Sequence, residues 1–503
     1  PPNKRDTDRS VQRGNERGYG RQAKPGETAG ECHFSDYYLS TPLRSTSEAM
    51  ATDAKEAAGV PPALTREVSE CGPDTDRFVR LLHWLNKGGS QFPKLYLKYE
   101  DEDYRSVHTK CAVDSDEEVV YVPLAQIMTT EKAKSSAIGK AIRNSGYVMN
   151  CSHSWLACYL CQEKHSPDSY WKPFIDILPD KYYNMPIFFN EHYNKHLKGS
   201  YSLEMAATRN RQLRQEYDGI IRRCPAFRKY HYLEFVWGRL AVITRIFSLD
   251  IGGRTTDGLV PMADMLNHHP TRQTTWGYSD RKKGFVMTTT RKVGAEEQIF
   301  DSYGRKWQGR YFVNYGFTID NNYEDNDAVI HGSLSEDDPQ YSMKKRYLGG
   351  WSSREFQPQA QWNRKAKDLL AFFRTVSANA KELGTRPNFN APVSIRNETA
   401  ALINLEKSCE ESLKKFPDSL QTDHKLLKVN KWEDSNHRNC VIMRAGEKEV
   451  LMWYIKLCQE GRRLLALPYE QLAKEAPAKT QRFRLYYDAV IEPLARGVSR
   501  HHF

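Results

Sequence analysis

Apolar positions along this chain follow two periods, and the changes between them mark its parts. After Asp74, a side chain suited to an N-cap, Phe78, Leu81, Leu82 and Leu85 recur at helical spacing, and Gly88-Gly89 ends the helix. Gln91 to Tyr99 alternates apolar with polar residues and predicts a strand, with further strands at Tyr104 to His108 and Glu117 to Pro123. From about residue 140 to Phe247 the period is helical. One helix presents Trp155, Leu156, Tyr159 and Leu160, and another runs from Tyr232 to Ile246 with Phe235, Leu240, Val242 and Ile243. Alternation returns in Gly284 to Thr290, before a turn at Gly294. Beyond Phe317 the pattern is mostly helical; Asn397 is placed to cap a helix with Leu402, Leu405, Cys409, Leu413 and Phe416 on one side. Residues 1 to 72 show almost no apolar period and predict a disordered tail.

Length and charge narrow the picture. A chain of 503 residues has room for two or three domains with real cores. No run approaches the roughly 18 apolar residues of a membrane span, so no membrane association is expected. The net charge of +11 fits an acidic partner surface, but the basic residues are interspersed with acidic ones and form no block. A solvated basic surface is expected, with no specific nucleic-acid partner. Ten cysteines without regular spacing indicate reduced thiols in the cytoplasm or nucleus, or in an organelle if a targeting peptide precedes this Pro-Pro start. Cys158-x-x-Cys161 lies within an apolar helical run and lacks a second ligand pair. These are expected to be buried thiols, and no metal is expected.

The chemistry concentrates in two strings. Leu259-Val-Pro-Met-Ala-Asp-Met-Leu-Asn-His-His-Pro270 packs an apolar first half and leaves polar side chains at its end. Ile299-Phe-Asp-Ser-Tyr-Gly304, followed by Asn314-Tyr-Gly-Phe317, brings Tyr303 and Tyr315 back toward it. This suits a pocket for a polar small molecule beside an aromatic channel; a buried strand and turn would give the same pattern.

In order and spacing, the two strings resemble the C-terminal half of a SET domain, the S-adenosylmethionine-dependent protein methyltransferase fold. The branch they resemble includes the Rubisco large-subunit lysine methyltransferases and the actin-histidine methyltransferases. Arg444-Ala-Gly-Glu-Lys-Glu-Val-Leu451 is similar to the hallmark of that branch's substrate-binding domain, and Tyr170 to Pro179 to its link into the helical insert. The resemblance spans roughly residues 76 to 465. It implies an α+β fold: a SET domain (a β-clip of small curved sheets) over 73–320, split by a helical insert at about 140–247. An all-α substrate-binding domain then fills 321–503.

The resemblance also implies roles. S-adenosylmethionine would be held by Ala137, Ile138 and Gly139 through their backbone, and by Arg245, Asn267, His268 and Phe317. Tyr303 would be the catalytic tyrosine. Phe247, Asp264, Tyr278 and Tyr315 would contact the substrate, a protein docked on the C-terminal domain of a monomeric enzyme. Arg245 in an internal salt bridge and Asp264 capping a turn are the plainer readings of those two residues. His108 and His269 read as an exposed strand residue and an exposed turn residue.

Methyl transfer to an amine needs the amine neutral and aligned, and a dry aromatic channel favours the neutral form of a lysine whose ordinary pKa is about 10.4. In histidine-methylating members the Phe247 position is a polar Asn and the Ala263 position a Trp. Phe247 and Ala263 here resemble the lysine-methylating members, so a lysine of a non-histone protein is the expected acceptor, with histidine the alternative. Three departures remain: Ser106 in a glycine slot near the cofactor, and Gln308 and Arg310 after the Tyr-Gly motif. They fit a divergent enzyme, or a SET-like module that binds proteins without turnover.

Overall fold

The computed structural model describes residues 75–99, 104–474 and 481–497. The predicted tail and the Asp74 cap lie outside them. The first helix, α1 (Thr75–Lys87), buries Phe78, Leu81, Leu82 and Leu85 as the period predicts. It stops where Gly89 takes φ +92, a conformation that side chains disfavour.

The strand expected from Gln91 is shorter than its alternation suggests. Pro93 has no N–H to give a ladder and starts a turn, so only Gln91 bridges to Tyr121 before β1 (Leu95–Tyr99) begins. This strand pairs with β2 (Arg105–Thr109) in a two-stranded sheet. Next come β3 (Glu118–Pro123), β4 (Met128–Thr129), α2 (Thr130–Ser135) and α3 (Ala137–Asn144). The insert contains α4 (Ser152–Lys164), α5 (Tyr201–Arg223) and α6 (Tyr232–Arg245), joined by short helical turns. Cys158 and Cys161 are fully buried on α4, and burial raises both thiols. Among the described residues no group of His, Cys, Asp or Glu is arranged to hold a metal, and no helix is long and apolar enough to cross a membrane.

After the insert, β5 (Ile246–Ile251) and β6 (Arg254–Leu259) pair antiparallel, with β4 on the far side of β6. Strands β7 (Thr274–Ser279) and β8 (Gly284–Thr289) form the other three-stranded sheet with β3, in the order β3-β8-β7. One apolar core runs through these small sheets and the insert helices. Helix α7 (Gln308–Tyr315) ends on Gly316 at φ +76, a left-handed C-cap.

A ribbon of β9 (Ile330–Ser333) and β10 (Ser353–Phe356) introduces the C-terminal domain, an element absent from the helical expectation. Helices α8 (Arg364–Ser377), α9 (Ile395–Leu413), α10 (Leu420–Val429) and α11 (Ser435–Leu465) enclose a second core around Leu402, Leu405, Cys409, Leu451, Tyr454 and Cys458. Asn397 does not cap α9. Ser394 does, accepting from the Asn397 amide at 2.9 Å, while Asn397 donates from Nδ2 to the Arg374 carbonyl. Phe416, assigned to the α9 stripe, lies beyond the helix and packs under the Lys448 ammonium.

The Arg444–Leu451 hallmark lies inside α11, with Arg444, Glu447 and Lys448 buried and Glu449 half-buried. Arg444 donates to Asp423 at 3.0 Å and to the His196 carbonyl at 3.2 Å; Lys448 donates to Asp423 at 2.6 Å. Glu447 accepts from the Tyr201 amide at 3.1 Å, and so ties α11 to the start of α5. Its buried residues clasp the insert to the helical domain.

This clasp should respond to pH. Burial pushes Asp327 up to about 7 and Glu447 up to about 8, and the Asp327 charge adds to the shift at Glu447. Both folded values exceed the ordinary carboxyl values of 3.8 and 4.5. Between these limits the folded chain keeps protons that the unfolded chain has released, so stability falls as pH rises through 7 and 8. Urea midpoints at about pH 5.5 and about pH 8.5 should show that decline in wild type and a shallower one in Glu447→Gln. An identical slope in both would remove Glu447 from the effect.

Candidate active site

The site lies where the chain after β6 meets the chain after β8. Pro261 is followed by Met262 at φ 73 and ψ −51, a strained γ-turn-like conformation for a fully buried side chain. That kink turns Ala263 and Asp264 inward, where both are buried. Asn267 then donates from Nδ2 to the Arg105 carbonyl at 2.7 Å, and its own carbonyl accepts from the Asp301 amide at 3.0 Å. The Asp301 carbonyl accepts from the His269 amide at 2.9 Å, which completes a parallel bridge between the two segments.

Tyr303 lies at the centre of the crossing. Its hydroxyl donates to the Leu266 carbonyl at 2.9 Å, and its amide donates to Nδ1 of His268 at 3.0 Å. Burial raises the phenol well above its ordinary range, so Tyr303 is neutral. The Tyr315 ring stacks on it at 5.1 Å. His268 lies against Tyr303, Tyr311 and Phe317, with centroids 5.1, 4.9 and 6.0 Å away. Burial pushes His268 down to about 4, so the ring is neutral. Because Nδ1 accepts, the proton belongs to Nε2, which is buried with no partner in the protein.

Arg245, at the end of α6, pairs with Asp264: Nη1 lies 3.1 Å from Oδ2 and 3.2 Å from the Asp264 carbonyl. Burial pushes the Asp264 carboxyl up against the opposing pull of that guanidinium. The pair leaves Arg245 Nε and Asp264 Oδ1 buried and unpartnered. Burial, Arg245 and Arg77 push Arg105 down to about 10. Three guanidiniums and one carboxylate therefore converge, an environment that favours an anionic group.

Beside Arg105, Ser106 is buried, and its hydroxyl pairs with Nε2 of His108 at 3.1 Å. A small cavity opens there, lined by Phe78, Leu97, Tyr99, Arg105, Ser106 and Met265. Gln308 is buried and grips both backbone polar groups of Ile319, whereas Arg310 faces solvent on α7.

Two expected groups lie on elements outside the crossing. The amides of Ile138 and Gly139 are already spent, donating to Gln162 Oε1 at 2.7 Å and to the Ser136 hydroxyl at 3.1 Å, while Ala137 is exposed. Gly139 is required by packing, since a Cβ there would come 2.0 Å from the Ala133 carbonyl oxygen. Tyr278 lies toward the end of β7, near Asp280 and Tyr121. Two residues earlier on the same face, Trp276 takes the place against Phe247, at 5.0 Å and 84°. Sequence reasoning missed Trp276, Arg105, Tyr311 and Asp301. For Tyr311 the i, i+4 spacing to Tyr315 was a usable signal; for the others no local pattern marks them.

Comparison with known proteins agrees with this architecture. Residues 335–451 match the Rubisco LSMT substrate-binding family. The actin-histidine N-methyltransferase of Gallus gallus is 25% identical over 434 residues, covering 81% of this chain and 72% of that protein. The SET domain of LSMT bound to lysine and AdoHcy superposes with TM-score 0.67 at 19% identity, covering 80% of this chain and 96% of that one. The structure of Rubisco LSMT bound to AdoMet gives TM-score 0.65 at 20% identity, with coverages of 80% and 96%. The kinked Asp264 segment, the Asn267–Asp301 crossing and the buried hallmark helix thus sit in a chain with the SET fold of Rubisco LSMT, continued by a Rubisco LSMT substrate-binding domain and related in sequence to the actin-histidine methyltransferases.

Proposed function

We propose that this chain is an S-adenosylmethionine-dependent protein methyltransferase whose acceptor is a lysine side chain of a protein held against the C-terminal domain. The observation that carries the reading is the set of buried, unpartnered polar atoms around Tyr303: the donors Arg245 Nε and His268 Nε2 and the acceptor Asp264 Oδ1. Leaving such atoms unmade is costly, about 1–3 kcal/mol each, and a zwitterionic ligand with a heteroaromatic base supplies matching groups. Asn267, His268, Arg245, Arg105 and Phe317 would hold it. Bound there, S-adenosylmethionine supplies a methyl group on a sulfonium. The protein's own part is to orient the acceptor. The Tyr303 hydroxyl spends its hydrogen on the Leu266 carbonyl, so its lone pairs accept from an amine N–H and aim the nitrogen lone pair.

Phe247 is buried and has no polar atom to hold an imidazole, which favours lysine. Histidine is the second reading, because the curated relatives act on actin histidine. Calorimetric titration of S-adenosylmethionine into wild type and Asn267→Ala tests the pocket. Binding to wild type with a loss of about tenfold or more in the variant is expected, since a charge-lined site loses one anchoring segment. Hydrolysis of radiolabelled extract proteins then separates methyl-lysine from methyl-histidine. A folded wild type that binds no cofactor would leave a protein-binding module as the reading.

A further inference from the structure

We propose that the helix Tyr341–Tyr347 and the turn Gly349-Gly350-Trp351 form a docking face for an acidic segment of the protein substrate that also carries apolar side chains. The inference deepens the methyltransferase reading and rests on it, since that reading requires a protein held against this domain. The helix is amphipathic in the reverse sense. Its inward face carries Lys344, only 4% exposed, whose ammonium donates to Asp338 at 2.6 Å and to the Val376 carbonyl at 2.8 Å. Leu348, one turn on, packs against the core. The outward face carries Met343, Arg346 and Tyr347, at i, i+3 and i+4. Met343 is 37% exposed and Tyr347 40%. Water alone selects the opposite arrangement, with the cation outside and the apolar side chains inside.

Trp351 extends that stripe. The Gly350 amide donates to the Lys345 carbonyl at 2.8 Å and the Gly349 amide to the Arg346 carbonyl at 3.1 Å, which closes the helix. Gly349 and Gly350 take φ +67 and +92, so the turn needs both glycines. Trp351 then stands at i+8 from Met343 and is 58% exposed, with its indole beside Gly349. The Tyr347 ring is backed by buried Phe389, edge-on at 5.2 Å and 86°. Exposed Met, Tyr and Trp gathered around an Arg have the composition of a binding hot spot. A contiguous apolar patch of this kind marks an interaction site.

Charge names the occupant. Arg346 lies within the stripe, and Arg354, three residues beyond Trp351, is exposed on β10. Among the described residues neither guanidinium has an ion pair or a hydrogen bond. Asp338 is engaged by Lys344, and Glu355 lies 3.4 Å from His331; Glu336 and Asp337 pair with neither arginine. Carboxylates from a partner would satisfy both guanidiniums while its apolar side chains cover Tyr347 and Trp351. A basic partner would meet two uncompensated cations.

The test uses the full chain and a fluorescent peptide of alternating glutamate and leucine, with the lysine–leucine peptide as its charge-reversed control. Wild type should bind the acidic peptide about tenfold more tightly or better. Trp351→Ala and Arg346→Glu should each weaken that binding about tenfold, and Arg346→Lys should keep most of it. Both positions are exposed, so urea midpoints and S-adenosylmethionine affinity should match wild type. Incorporation of methyl label into extract proteins should fall several-fold in Trp351→Ala. With cofactor bound normally, equal affinity for the two peptides, or variants that bind as wild type does, overturns the inference alone. So does the absence of peptide binding together with phosphatidylserine-vesicle binding or self-association that Trp351→Ala abolishes, which would give the face to a membrane or to a second copy. A wild type that binds no S-adenosylmethionine overturns the methyltransferase reading and the substrate assignment with it; peptide selectivity that persists there would leave the face to a protein-binding module.

Discussion

Replacing Tyr303 with phenylalanine is expected to lower methyl transfer by about 100-fold, the usual scale for removing one oriented polar group from a reacting centre, with cofactor affinity nearly unchanged. The hydroxyl bonds only to the Leu266 carbonyl, while the ring keeps its stacking on Tyr315 and its contact with His268. Phenylalanine preserves every ring contact and the amide bond to His268, so the pocket should survive. What disappears is the oxygen whose lone pairs aim the acceptor. Single-turnover kinetics with bound cofactor would separate the two effects. A variant that binds cofactor and turns over at the wild-type rate would show that Tyr303 only packs.

The second large effect concerns stability. Asp423 is completely buried and receives Arg444 at 3.0 Å and Lys448 at 2.6 Å. Asp423→Ala leaves two buried cations with the His196 carbonyl for Arg444 and with Asp418, which contributes a carboxylate to Arg444 and a carbonyl to Lys448. Breaking a buried pair from one side costs about 3–5 kcal/mol, and the urea midpoint of the helical domain should fall accordingly. Adding Lys448→Met should recover part of the loss, because it removes one stranded charge. Equal destabilisation by single and double variants would mean that the cost is a packing defect.

What could be read from the sequence was what depends on neighbours in the chain. The amphipathic stripes of α1 and α6 and the alternation of β8 each show within a short window, whereas the meeting of Asn267-His268 with Tyr303, 35 residues on, came from the family resemblance. Boundaries failed where two residues competed for one role: Ser394 and Asn397 both suit an N-cap, and one turn earlier won. Pro93 shortened β1 because alternation says nothing about a missing donor. The site was legible as a list of residues but not as a set of partners. Arg245 was expected to touch the cofactor and Asp264 the substrate, with an internal salt bridge the plainer reading of Arg245; the structure pairs the two with each other. Asp301 escaped because the hydrogen bond it accepts from Thr274 spans 27 residues, which no local period records.

The Asn267–Asp301 crossing also bears on how the protein comes to be made. Asn267 anchors to Arg105 across 162 positions, and His268 takes its hydrogen bond from Tyr303. No nascent chain that stops before Phe317 contains the complete pocket, however well its early strands and insert have folded. Contacts this far apart must pay for long loop closure before they give any stabilisation, which slows folding. The pocket should therefore be the last part of the SET domain to form, and the arrival of cofactor binding during synthesis would time the threading of its final segment.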